Sequence, residues 1–252
     1  MGFVAAVYGF ICYLIFLASF LYAVCFLGDV IVPKTIDSGL RKPHLEALVI
    51  DLLLLGAFAV QHSVMARPGF KAMWTKIIPR SIERSTYVLF SSLLLALICW
   101  QWQPFASPVW DVTSSRVFAG LLVGLYWFGW VILLFSTFLI NHFDLFGLRQ
   151  VYLRMRNIEY SHPRFTQRAL YKIVRHPIML GFLIAFWATP RMSAGHLIFS
   201  IATTGYILIG IALEEHDLVR FHGEEYEAYR SSVPMLIPRL FKRHRPPRVA
   251  AP

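Results

Sequence analysis

Residues 175–218 read RHPIMLGFLIAFWATPRMSAGHLIFSIATTGYILIGIALEEHDL, and their layout decides the fold. Arg175-His176-Pro177 opens the stretch and Glu214-Glu215-His216-Asp217-Leu218 closes it. Between these clusters only Arg191 carries a charge, and it sits beside Pro190. An apolar run broken at Thr189-Pro190-Arg191-Met192-Ser193 predicts a membrane hairpin with a turn there. Both feet of the hairpin are crowded with ionisable groups. Such groups are costly at the edge of hydrocarbon and mark functional sites, so the chemistry is expected here.

The rest of the chain agrees with a membrane setting. Of 252 residues, 57% are hydrophobic and only 15% charged, too apolar for an ordinary soluble domain. Charge-free runs predict spans at 3–27, 46–65, 86–103 and 117–140, followed by 178–190 and 194–213 in the hairpin. The first run is too long for a signal-peptide core and reads as a retained span. The expected fold is therefore all-α: a polytopic integral membrane protein with four long spans plus a C-terminal helical hairpin, five to six transmembrane helices in all. Residues 1–238 form one membrane domain, and 239–252 read as a basic, Pro-rich disordered tail near anionic headgroups.

A net charge of +10 invites a nucleic-acid reading, but its distribution opposes one. Segments 66–85, 141–177 and 214–252 hold 19 Lys and Arg residues, against five in the segments on the other side. That bias follows topology and predicts cytoplasmic N- and C-termini, with both hairpin feet on the same side. Cys12, Cys25 and Cys99 all fall in apolar runs without paired spacing, so disulfide and zinc frameworks are unsupported. His176, His196 and His216 recur every twenty residues, which is no one-helix ligand spacing, and HxxH, HxxxH and HExxH are absent. No metal is expected. A Gly-x-Ser-x-Gly element and a Gly-rich phosphate loop are absent too.

Three constellations carry candidate chemistry. Asn141-His142-Phe143-Asp144-Leu145-Phe146-Gly147 follows the fourth span, and reads either as an interfacial helix end closed by Gly147 or as a pocket wall. In the second reading Asn141 and His142 meet substrate, and His142 or Asp144 polarises it. Tyr171 to Pro177 leads into the hairpin: Pro177 suits a first helical turn, and Arg175 offers a fork of donors to an anion. Glu214 and Glu215 close it, followed by Gly223, Tyr226 and Tyr229. Two carboxylates at the end of an apolar helix oppose its dipole and call for a cation, either Arg175 or a cationic ligand.

The pattern Arg175-His176-Pro177-x-x-x-Gly181, an apolar hairpin, Glu214-Glu215-x-x-Leu218 and Gly223-x-x-Tyr226-x-x-Tyr229 with Val233-Pro234 resembles the membrane methyltransferases. These include isoprenylcysteine carboxyl methyltransferases, phospholipid N-methyltransferases and NnrU-like proteins. The usual Tyr two residues after the Pro is Met179 here. Gln61 to Pro68, Glu83 to Tyr87 and Asn141 to Gln150 extend the likeness to the bacterial methanethiol S-methyltransferase family. The resemblance implies methyl transfer from S-adenosyl-L-methionine to methanethiol, giving dimethyl sulfide, at the bacterial inner membrane. It also implies a cofactor held by Tyr171, Arg175, His176, Pro177, Gly181, Glu214, Glu215, Tyr226 and Tyr229. His142, Asp144 or Glu215 would then handle the thiol proton. The partners are a small volatile thiol and the lipid bilayer, with no nucleic acid. The alternatives are another acceptor (a lipid amine or prenylcysteine), or a non-enzymatic NnrU-like protein of nitrogen-oxide metabolism.

Overall fold

A computed structural model describes residues 2–40, 42–161 and 167–238. The proposed tail at 239–252 lies outside the described residues. Five long apolar helices run the length of the bundle: α1 (Gly2–Leu27), α2 (His44–Ala66), α4 (Arg80–Gln101), α5 (Arg116–Ile140) and α9 (Ala194–His222). At 1.5 Å per residue each covers the roughly 30 Å of a hydrocarbon core. The chain is an integral membrane protein of the all-α class. The remaining helices are short: α3 (Pro68–Trp74), α6 (His142–Leu145), α7 (Leu148–Met155), α8 (Pro177–Trp187) and α10 (Glu224–Ser232).

The hairpin is lopsided. Its first arm, α8, has 11 residues and reaches only about 16 Å, half a membrane, before ending at Trp187. The freed carbonyl of Phe186 is met from α9 by Ser200 Oγ at 2.7 Å and His196 Nε2 at 2.9 Å, which seals the hairpin tip. The expected plain turn is an edge: Arg191–Ser193 forms β2, antiparallel to β1 (Pro108–Asp111), with Trp110 opposite Met192. Trp110 Nε1 donates to Thr189 O at 3.0 Å, tying the loop before α5 to the tip.

The hairpin is fixed to the bundle through α5. Gly129 and Gly181 face each other so closely that a Cβ on either would lie 2.7 Å from the other's carbonyl oxygen. In lipid, helices gain nothing from burying apolar surface against each other, so close backbone approach at small residues is what joins them. On α2, Asp51 is fully buried and its Oδ1 accepts from Gln103 N at 2.9 Å, stapling that helix to the loop after α4. The second arm, α9, continues without a break to His222 and stops at Gly223, whose φ of +55° suits glycine. Glu214 and Glu215 therefore lie about two turns inside the helix. The expected conflict with its C-terminal dipole does not arise, and for Glu215 burial is what demands a partner.

Candidate functional site

The described parts of the basic-rich segments gather at one end of the bundle, where α2, α5 and α9 finish and α4 and α8 begin. Here the hairpin feet meet. Arg175 Nε donates to Glu215 Oε1 at 2.7 Å, and His176 Nε2 lies 3.0 Å from the same oxygen. Arg175 Nη1 also donates to the carbonyls of Arg230 at 2.9 Å and Val233 at 2.5 Å, while its backbone N–H reaches Pro234 O at 2.8 Å. The Arg175 and Glu215 side chains are only 10% and 12% exposed. One guanidinium thus satisfies a buried carboxylate and the C-terminal end of α10 together. The four groups form a clamp.

Glu214, the neighbouring carboxylate, points elsewhere. It continues the inward stripe of Ser200, Ile207 and Ile211 on α9, yet its side chain is 49% exposed. With this much surface it lies open at this end of the bundle. Its Oε2 sits 3.6 Å from His176 Nδ1, and the cations of Arg67 and Arg84 act on it from α2 and α4. Arg67 itself bonds Asp217 Oδ2 at 2.8 Å and Leu213 O at 3.3 Å, clasping α2 to α9.

Three tyrosines close the floor. Tyr229 Oη donates to Tyr171 O at 2.7 Å, and Tyr171 Oη to Ser136 O at 3.5 Å near the end of α5. Burial raises the pKa of all three, Tyr229 up to about 12, so Tyr171, Tyr226 and Tyr229 stay protonated donors at neutral pH. Pro177 occupies the first turn of α8, as its sequence position requires. Gly181 faces Gly129 across the α5–α8 contact described above.

The Asn141 to Gly147 segment is placed separately. Asn141 Oδ1 caps α6 by accepting from Asp144 N at 3.1 Å. Asn141 also lines a groove of about 540 Å³ with Ala6, Phe10, Phe143 and Met155, between α1 and the α6–α7 turn. Asp144 is occupied by Arg149 at 2.9 Å and by the Tyr160 hydroxyl at 3.2 Å. His142 is 6% exposed, with Nδ1 2.9 Å from Thr137 Oγ1 and Nε2 2.9 Å from Tyr13 Oη. Phe138 stacks on its ring at 4.3 Å and Phe146 lies at 4.8 Å. Burial lowers its pKa, so its imidazole is neutral at neutral pH. Gly147 adopts φ +87° between α6 and α7, where a Cβ would strike Ser85.

Sequence reading used Gln61 to Pro68 and Glu83 to Tyr87 only for the family likeness and gave their residues no role in the site. His62 on α2 meets Tyr87 and Ser91 of α4, Arg84 covers the Tyr87 ring, and Arg67 stands just past the end of α2. The signal available was a polar His62 on the otherwise apolar stripe Leu55, Phe58, His62, Met65. Among the described residues, no three of His, Cys, Asp and Glu gather in a metal-holding group.

Comparison with known proteins adds the chemistry. The chain is 53% identical over 238 residues to methanethiol S-methyltransferase 2 of Bradyrhizobium diazoefficiens, covering 94% of this chain and 91% of that protein. It is 54% identical over 234 residues to methanethiol S-methyltransferase of Mycobacterium tuberculosis, covering 92% and 95%. A more distant likeness, 29% over 191 residues and 69% of each chain, reaches Nurim of Mus musculus. No protein-family model matches the chain, and no solved structure gives a significant match.

Proposed function

The chain belongs to the methanethiol S-methyltransferase family, and we propose that it methylates methanethiol to dimethyl sulfide with S-adenosyl-L-methionine as donor. Within the structure the reading rests on one observation above all. Glu214 is a half-exposed carboxylate on an inward helix stripe, walled by cations and phenols at the end of the bundle where polar residues concentrate. Those groups suit a donor that carries an ammonium, a sulfonium, ribose hydroxyls and a carboxylate. Glu214 would meet the cationic part or the ribose. His176 and the protonated tyrosines Tyr171 and Tyr226 would supply hydrogen bonds, Tyr229 would hold Tyr171 in place through its backbone carbonyl, and Arg67 and Arg84 would meet the carboxylate. The Arg175–Glu215 clamp and Pro177 would fix the first turn of α8, and Gly181 the α5–α8 contact, so that these groups hold position.

When bound, the donor supplies an electrophilic methyl group on a positively charged sulfur. The protein's tasks are alignment of the thiol with that methyl and removal of the thiol proton. Opposite charges are neutralised as the methyl moves, and a water-poor recess within the membrane favours such a step. The acceptor end would be shaped by aromatic residues. His142 holds Phe146, and Phe16 and Phe146 pack around Tyr87. We place His142, with Asn141 as the cap of its turn, in the wall behind the thiol. Asp144 and Glu215, both already ion-paired, hold structure near it.

The basic end would face the cytoplasm of a bacterial inner membrane, where the donor is made. Headspace gas chromatography over membranes containing the protein tests this reading. Dimethyl sulfide should appear only with both methanethiol and S-adenosyl-L-methionine present. Its absence, with release of a methylated amine or prenyl ester instead, would replace the acceptor.

A further inference from the structure

On α2, Asp51, Leu55, Phe58, His62 and Met65 share one stripe at helical spacing, while Val49, Leu53, Val60 and Val64 are exposed on the opposite face. The outer face meets lipid, so His62 looks inward, yet it is only partly buried. From α4, Tyr87 Oη stands 2.8 Å from His62 Nε2, and Ser91 Oγ 3.1 Å from Nδ1. The single hydroxyl hydrogen of Ser91 is directed to Gln61 Oε1 at 3.2 Å or Tyr87 O at 3.1 Å, so its oxygen accepts from Nδ1–H. That assignment leaves the lone pair on Nε2, where the Tyr87 hydroxyl donates to it.

The surroundings suit a proton relay. Phe58 lies along the imidazole at 5.2 Å, and the Tyr206 ring of α9 approaches edge-on at 6.5 Å. The Arg84 guanidinium covers the Tyr87 ring at 4.9 Å. His142 shares the hydrogen-bond pattern, with Thr137 and Tyr13 as its hydroxyls, but it is enclosed by Phe138 and Phe146. His62 keeps part of its surface, whereas His142 is buried.

We propose that Tyr87 and His62 form the relay that removes the thiol proton during methyl transfer, a role that rests on the thiol-methylation reading above. The thiol S–H bond breaks and its proton passes to Tyr87 Oη as the Tyr87 proton passes to His62 Nε2. The sulfur lone pair forms the new S–C bond. The donor's C–S bond breaks, and its electron pair stays on the donor sulfur. Positive charge thus leaves the sulfonium and appears on an imidazolium held by two hydroxyl oxygens, which then loses its proton to water. Tyr87 meets the thiol, and His62 acts through it.

The test uses purified wild type, Tyr87→Phe and His62→Gln, with turnover followed across pH and donor affinity measured by calorimetry. Each variant should lose about 100-fold in kcat at neutral pH, within the range of general-base contributions. The deficit should shrink about tenfold per pH unit as the free thiol ionises, while wild-type rates stay level and donor affinity stays within about twofold. Wild-type rates in both variants, a deficit equal at every pH, or lost donor affinity would each overturn the relay. Tyr87→Phe keeps the buried ring and decides the matter if His62→Gln does not fold. A wild type that binds donor but releases no dimethyl sulfide would sink the thiol reading itself, and is read separately from the variants.

Discussion

Glu214 and Glu215 are adjacent in sequence and opposite in circumstance. Glu215 is enclosed by Arg175 and His176, with every nearby donor already committed to it or to α10. Glu214 keeps half its side-chain surface, with His176 beside it and the charges of Arg67 and Arg84 acting on it. The contrast separates a region that holds the bundle together from one that is free to bind. Charge and position alone do not distinguish them. What differs is whether the protein has already satisfied the group.

The largest effect should come from opening the clamp. Arg175→Ala leaves Glu215 buried without its cation and frees the end of α10, which should cost about 3–5 kcal/mol. Thermal unfolding in detergent checks this. An unchanged melting temperature would mean the clamp is not what holds the feet. A smaller effect is expected at the enclosed histidine. Because burial lowers the pKa of His142 when folded, the unfolded chain takes up a proton first on acidification. Stability should therefore be full above about pH 6.5 and fall below it. His142→Gln should flatten that acid limb in melting curves taken from neutral to mildly acid pH. An acid limb of unchanged slope would exclude His142 as its source.

The holding region was largely legible in the sequence. The charge-free runs set four spans close to their observed ends, because hydrocarbon excludes charge residue by residue. The α4 helix starts at Arg80 and not 86, since its first turn projects from the membrane and tolerates Arg80, Glu83 and Arg84. Arg175, His176, Glu214 and Glu215 stood out because they bracket an apolar hairpin, and their convergence follows from its closure. Which glutamate is clamped was not legible. That depends on α10 returning beneath Arg175, and nothing in a local pattern sets where α10 docks. His62 and Tyr87, quoted only for the family likeness, were given no role for a similar reason. Each is one polar residue in an apolar helix, and only the pairing of α2 with α4 gives it a partner. The β1–β2 edge also joins segments about eighty residues apart, beyond the reach of a turn signal.

The central claim is that the open glutamate, not the clamped one, faces the methyl donor. Calorimetric titration of S-adenosyl-L-methionine onto wild type, Glu214→Gln and Glu215→Gln, each with its melting curve, tests it most directly. Glu214→Gln should weaken binding by about 10- to 100-fold, the worth of a hydrogen bond to a charged group, while keeping the wild-type melting temperature. Glu215→Gln should lower the melting temperature more than any affinity retained by its folded fraction. Wild-type affinity in Glu214→Gln would contradict the account.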